Sequence, residues 1–341
     1  MDSGAVPVVD VAPFFSHRAS ATAADAVAAA VADAALTVGF FVVVGHGIEP
    51  ALRRECAEEA RAFFARPEAE KQRVAARGGA FGFIPMNSEA LGDGGDASAR
   101  PDLREAFAMG PVANLRPALD PAALSPHERE VVDFCYQPTP WPAEQPRLRS
   151  AMERYYSQLA RLGDGLLSIF GRALGIDEQL LLSKTTHHFS AMALINYPAL
   201  LEPPLPGQLR CGAHQDSGTL TILHEDEPGL EVRPRGSDEW QGVDCPEGGL
   251  IVNVGDLMER WTNKRWTSTP HRVRLPQGQE EASRGRLSIA WFQNLNYDAE
   301  ISSLELVPDE EPLYESITQG QLFWEREGPQ RPGRRTDADN G

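Results

Sequence analysis

The chain has 341 residues, 42% of them hydrophobic and 24% charged, with a net charge of −17. That length supports a sizeable core in one large domain, or in one domain with an extension, and the composition excludes wholesale disorder. The acidic balance, with lysine only at Lys71, Lys184 and Lys264 and no dense basic run, argues against nucleic acid or an anionic membrane as partner.

The opening MDSGAVPVVDVAPFF has no basic segment leading into a long apolar run, so no secretory signal is expected. Nor does any stretch approach the roughly 20 apolar residues of a membrane span. Cys56, Cys135, Cys211 and Cys245 show no CxxC pairing and read as free thiols of a reducing compartment. A soluble, cytoplasmic protein is expected.

In chain order, VPVVD (6–10) reads as a short strand. The alanine-rich stretch 20–37 reads as a helix ended by Gly39, and FFVVVGH (40–46) as a buried strand. PALRRECAEEARAFFA (50–65) starts with proline and spaces its apolar residues as a helix does; Pro67 begins another short one. Residues 77–102, rich in glycine and polar residues, read as a long loop, and YQPTPWPAEQP (136–146) as an irregular connection. The longest helix is predicted over 147–173 and a shorter one over 177–186.

From about residue 190 the texture changes. AMALINY, TLTILH, GLEVRP, GGLIVNV, HRVRL and LSIAWF are short runs of β-formers separated by Gly, Pro and Asp turns. That pattern predicts a sandwich or barrel. The division expected is 1–146, a helical and strand region contributing to a substrate pocket; 147–323, a helix plus the β core; and 324–341, a disordered tail.

Residues 211–221 read CGAHQDSGTLT. Side chains two apart on a strand share a face, so His214 and Asp216 can aim at one point. A third ligand must come from elsewhere, and His271, opening the run HRVRL, is the best candidate. Two imidazoles and one carboxylate on one face of a metal leave positions open opposite, the ligand set of non-haem Fe(II) oxygenases. Arg286 and Ser288 also share a strand face. A guanidinium beside a hydroxyl suits a carboxylate, and an inward arginine is costly without an anion. Asn196 and Tyr197, in LINYP, are candidate polar wall groups of the same pocket.

The pattern His214-x-Asp216, His271, Arg286-x-Ser288 resembles the isopenicillin N synthase-like branch of the 2-oxoglutarate/Fe(II)-dependent dioxygenases. VPVVDVAPF, GFFVVVGHGI, the NYP element, HQDSGTLTIL, GLEVR, VNVGDLMERWTNKRWTSTPHRV and RLSIAWFQN match that family's blocks in order, through most of the chain. The resemblance implies an α+β fold, a double-stranded β-helix (jelly-roll) core with N-terminal helical elements. It implies Fe(II) on His214, Asp216 and His271. The distal carboxylate of 2-oxoglutarate would lie on Arg286 and Ser288 with help from Tyr197, and O2 would be the second cosubstrate. Succinate and CO2 would be released while a C–H bond of a small metabolite is oxidised, by hydroxylation, desaturation or ring closure. By the same analogy Phe81, Phe83, Met86, Phe292 and Asn294 are candidate substrate contacts. Arg104 is another, although an ion pair with Glu105 or Asp102 is the simpler account of it.

The remaining histidines read as structural. His46 suits a hydrogen-bonded turn, His187 and His188 a helix C-terminus that favours cations, and His224 a solvent-facing acidic turn. Asp256 reads as a turn residue and Trp261 as a core aromatic. Two rival functions remain at this point: an iron oxidase of the same family that uses no 2-oxoglutarate, and a non-catalytic binding protein that kept the fold.

Overall fold

The computed structural model describes residues 6–16, 20–76, 80–92, 100–112, 115, 117, 124–307 and 309–327. Its first part holds strand β1 (Val8–Asp10), helices α1 (Ala12–Phe15) and α2 (Ala21–Thr37), strand β2 (Phe40–Val44), and helices α3 (Pro50–Phe64) and α4 (Glu68–Lys71). Strands β3 (Gly82–Ile84) and β4 (Glu105–Met109) and helices α5 (Pro126–Cys135), α6 (Pro146–Leu174) and α7 (Glu178–Leu182) follow. The β-rich part holds β5 (Ala191–Tyr197), β6 (Cys211–His214), β7 (Leu220–Glu225), β8 (Leu230–Val232), β9 (Gln241–Gly242) and β10 (Leu250–Val254). It continues with α8 (Asp256–Trp261), β11 (His271–Val273), α9 (Gly278–Ser283), β12 (Arg286–Gln293), β13 (Glu300–Ile301), β14 (Ile317–Thr318) and α10 (Gln319–Glu327).

Eight strands form one sheet in the order β1-β2-β10-β7-β12-β5-β4-β3, and a second sheet runs β6-β11-β8-β9. Alternation along the strands builds two layers on the large sheet. Leu287, Ile289 and Trp291 of β12 pack with α2, α3 and α6 in the main core, whose driving force is removal of apolar surface from water. Arg286, Ser288, Ala290 and Phe292 take the opposite face, which looks across a cavity to the small sheet. The α+β jelly-roll expectation holds.

Several local expectations change. The stretch read as loop contains β3, and the unassigned segment after it contains β4; both complete the large sheet's edge. Helix α5, for which no element is expected above, starts at a capping box, Ser125 with Glu128. Helix α10 extends to Glu327, past the residue-323 limit set for ordered structure, because Phe323 and Trp324 pack on Phe134 and Arg326 pairs with Asp256. The rest of the expected tail lies outside the described residues.

His188 is buried, not a cation at a helix end. Burial and the neighbouring His187 push its pKa down to about 4, and its Nδ1 accepts from the Ser190 amide at 3.2 Å. His224 sits on β7 against the Tyr155 ring, where burial and Arg53 push it down to about 3, so it is not the solvent-facing turn residue expected. His46 is the hydrogen-bonded histidine predicted, meeting the Gly248 carbonyl at 2.9 Å and the Ile48 amide at 3.1 Å. Trp261 is buried, with its indole N–H donating to Glu305.

Candidate active site

The end of β6 carries His214, the turn after it Asp216, and the start of β11 His271, directly opposite His214 in the small sheet. One ligating atom from each lies within 4.8 Å of the others. Asp216 Oδ1 stands 3.8 Å from His214 Nε2 and 3.7 Å from His271 Nε2.

Each residue is oriented by a second contact. His214 Nδ1 meets the Gly212 carbonyl at 2.9 Å and His271 Nδ1 the Thr269 carbonyl at 3.1 Å, which turns both Nε2 lone pairs inward. Thr221 Oγ1 and Asn253 Nδ2 donate to Asp216 Oδ2 at 2.6 and 2.8 Å, leaving Oδ1 to the histidines. Burial, and then His214, hold the His271 pKa down at about 4 against the opposing pull of Asp216 and the Thr269 carbonyl, so the ring is neutral near pH 7. Burial raises the Asp216 pKa, but His271, His214 and the two hydrogen bonds outweigh it and the group stays ionised. Two imidazoles and one carboxylate are a donor set that takes a divalent metal and leaves coordination positions free.

Farther along the same cavity, Arg286 is buried on β12 beside Tyr197, its partner on β5, with the guanidinium 4.9 Å from the Tyr197 ring centre. Its Nη2 donates to Glu225 Oε2 at 2.5 Å and its Nε to the Glu227 carbonyl at 3.0 Å, while Nη1 has no partner among the described residues. Glu225 thus meets part of the cost of burying the cation, and the free Nη1 is what calls for an anion. Ser288 lies one pleat farther along β12 and lines the same cavity as Tyr197.

Phe81, Phe292 and Asn294 line this cavity, as does Arg104. Three other expected contacts do not. Gly82, at φ +125°, breaks the alternation, so Phe81 faces the cavity while Phe83 turns to the core against Phe63. Met86 occupies the turn after β3, outside the cavity lining. Asn196 has the opposite parity to Tyr197 and donates to Glu105 Oε1 at 2.8 Å.

Arg104 pairs with Glu89 at 2.8 Å and more distantly with Asp102 at 3.7 Å. Its other expected partner, Glu105, faces the far side of the sheet and meets Lys71 Nζ at 2.5 Å. Glu89, Phe134 and Phe323 line the cavity without having been singled out. Thr221 and Asn253 left a trace in the sequence, as lone polar side chains in the apolar runs LTIL and LIVNV.

Residues 6–144 match the family described as non-haem dioxygenase in morphine synthesis N-terminal, and residues 189–295 the 2OG-Fe(II) oxygenase superfamily. Validamycin A dioxygenase of Streptomyces hygroscopicus subsp. limoneus is 32% identical over 315 residues, 89% of this chain and 80% of that protein. Clavatol oxidase of Penicillium crustosum is 30% identical over 315 residues, 88% of each chain. Among solved structures, a full-length Neurospora crassa protein in complex with alpha-KG and thymine superposes with a TM-score of 0.79 at 27% identity, covering 95% of this chain and 97% of that one. The chain belongs to the 2OG-Fe(II) oxygenase superfamily and is a 2-oxoglutarate-dependent dioxygenase, an iron enzyme that oxidises a small molecule.

Proposed function

We propose that His214, Asp216 and His271 hold the Fe(II), that Arg286 with Ser288 and Tyr197 holds the distal carboxylate of 2-oxoglutarate, and that the reaction is hydroxylation of a C–H bond. The observation that supports this most is the pairing, in one cavity of about 260 Å³, of three converging ligand atoms with a buried guanidinium whose Nη1 is unused. When bound, Fe(II), 2-oxoglutarate and O2 would together supply the oxidising chemistry, one oxygen atom of O2 going to succinate as CO2 leaves and the other to the substrate C–H bond.

The chain's own part is positional. Gly212 and Thr269 hold the imidazole tautomers, while Thr221 and Asn253 hold one carboxylate oxygen of Asp216. The two sheets bury the reacting region away from bulk water. Residues 1–146 belong to the substrate pocket in this reading, through Phe81, Ala106, Ala108 and Phe134. The four free cysteines suit a reducing, cytoplasmic setting. Among the described residues no helix is long and apolar enough to cross a membrane.

The test is anaerobic. Fe(II) followed by 2-oxoglutarate should give a weak visible charge-transfer band that needs both additions, and Arg286→Ala should move its 2-oxoglutarate half-saturation upward at least tenfold. A band unchanged in Arg286→Ala would remove the carboxylate assignment; a band retained in His271→Ala would remove the metal assignment.

A further inference from the structure

Three neighbouring strands place alanine at the same level on the cavity face. Ala108 of β4 pairs with Ala193 of β5, and Ala193 with Ala290 of β12. One pleat toward Arg286 the same strands carry Ala106, Ile195 and Ser288; one pleat away lie Ala191 and Phe292. Strands are about 4.8 Å apart, so the three methyl groups make a floor about 10 Å wide with nothing taller on it. Ala108 and Ala193 retain accessible surface although their strands lie inside the sheet, because they open to the cavity.

Aromatic rings wall this floor. Phe292 stands on the sheet beside it, and Phe134 and Phe323 come from α5 and α10. Phe81 lies over Gly110, where a Cβ would sit 2.3 Å from the ring, so the glycine makes room for it. At the far end Asn294, 1% exposed, lines the same cavity; its Oδ1 has no hydrogen-bond partner among the described residues. A buried amide oxygen left unpaired is costly unless a ligand supplies the donor. Of the charged side chains nearer the cosubstrate end, Arg104 pairs with Glu89, and Arg286 pairs with Glu225 and keeps its Nη1 for the cosubstrate carboxylate in the proposed reading.

We infer that the floor Ala108–Ala193–Ala290 is the seat of the primary substrate, and that this substrate is a flat, uncharged ring compound whose N–H or O–H donates to Asn294 Oδ1. The inference rests on the proposed iron and cosubstrate sites and adds the substrate class. Sheets of a sandwich pack about 10 Å apart, and above a layer of methyl groups that spacing admits one ring thickness. Aromatic walls suit ring faces and edges. A site built to receive a donor rejects the analogue that lacks it.

The test uses the whole protein with Fe(II) and 2-oxoglutarate under anaerobic conditions, reading perturbation of the visible band by indole and phenol, their donor-less partners 1-methylindole and anisole, and benzoate. Indole or phenol should perturb the band at concentrations at least tenfold below their methylated partners. Asn294→Ala should erase that difference. Ala193→Leu should raise the ring concentration required at least tenfold with a much smaller change in 2-oxoglutarate half-saturation, and Ala193→Gly should keep ring binding. Equal response to methylated and unmethylated rings, no ring response beside an intact cosubstrate band, or an unaltered response in Ala193→Leu would overturn the inference. Preference for benzoate would overturn it in favour of Arg104 as the anchor. Absence of the band itself would instead remove the cosubstrate assignment on which the inference stands.

Discussion

Asn253 donates to Asp216 Oδ2 at 2.8 Å, from the middle of β10 to the turn that follows β6. With Thr221 on the same oxygen, the bond leaves a single carboxylate oxygen facing the two histidines. The expected result for Asn253→Ala is Fe(II) affinity weaker by about 10- to 100-fold, the usual cost of losing a group that orients a ligand. Metal titration followed by calorimetry reads this without turnover. Unchanged affinity would mean that Thr221 alone orients the carboxylate.

Asp216→Ala removes the only anion of the three converging residues. Iron binding and turnover should both be lost while the far-ultraviolet circular dichroism and unfolding midpoint stay near wild type, since the fold's core lies on the other face of the large sheet. Full activity in this variant would refute the metal assignment.

Arg286→Lys keeps a charge but loses the planar fork that Glu225, the Glu227 carbonyl and the free Nη1 divide among themselves. Lysine is not a substitute at such a site. The 2-oxoglutarate KM should rise at least tenfold while Fe(II) affinity changes by less than a factor of about three. A rise confined to the primary substrate's KM would show that the arginine holds that substrate.

His188 sets an acid limit on stability. Burial, and then His187, hold its folded-state pKa down at about 4, against an unfolded value near 6.5. Between those values the unfolded chain binds the additional proton, so stability is fully present above about pH 6.5 and falls as pH drops toward 4. The contribution is of order 3 kcal/mol. His188→Gln, which can still accept from the Ser190 amide, should flatten this limb in urea unfolding measured from pH 4.5 to 7. An equally steep limb would place the loss on other groups.

Lys71 and Glu105 form a buried pair at 2.5 Å, with Asn196 completing the carboxylate's contacts. Lys71→Met strands Glu105 and should cost about 3–5 kcal/mol, because an unpaired buried charge is worse than none. Lys71→Met/Glu105→Gln should recover much of it. A double variant as unstable as the single one would show that the seat of the Lys71 ammonium over the Phe83 ring, 5.0 Å from its centre, matters more than the pairing with Glu105.

The sequence by itself determined what local periodicity encodes. A strand's period of two puts Arg286 with Ser288 on a shared face wherever that strand lies, the short spacing of His214 and Asp216 keeps them together although Asp216 lies in the turn after β6, and the order of the blocks was enough to recognise the family. The helices over 20–37, 50–65 and 147–173 were legible for the same reason, since their apolar spacing is written within a few turns.

Tertiary structure alone decided which neighbour each side chain meets. Arg104 finds Glu89 and not Glu105, because adjacent strand residues point to opposite faces and the chain before β4 folds back beside it. Phe81 reaches the cavity and Phe83 the core because Gly82 reverses the backbone between them. Thr221 and Asn253 converge on one oxygen of Asp216 because β7 and β10 pair in a particular register. The alanine floor exists only once β4, β5 and β12 are aligned side by side. Some of these relationships are local, but Asn253 with Asp216 and the three alanines join residues far apart in the chain, and the packing that selects them is a property of the assembled sheets, not of any window of sequence.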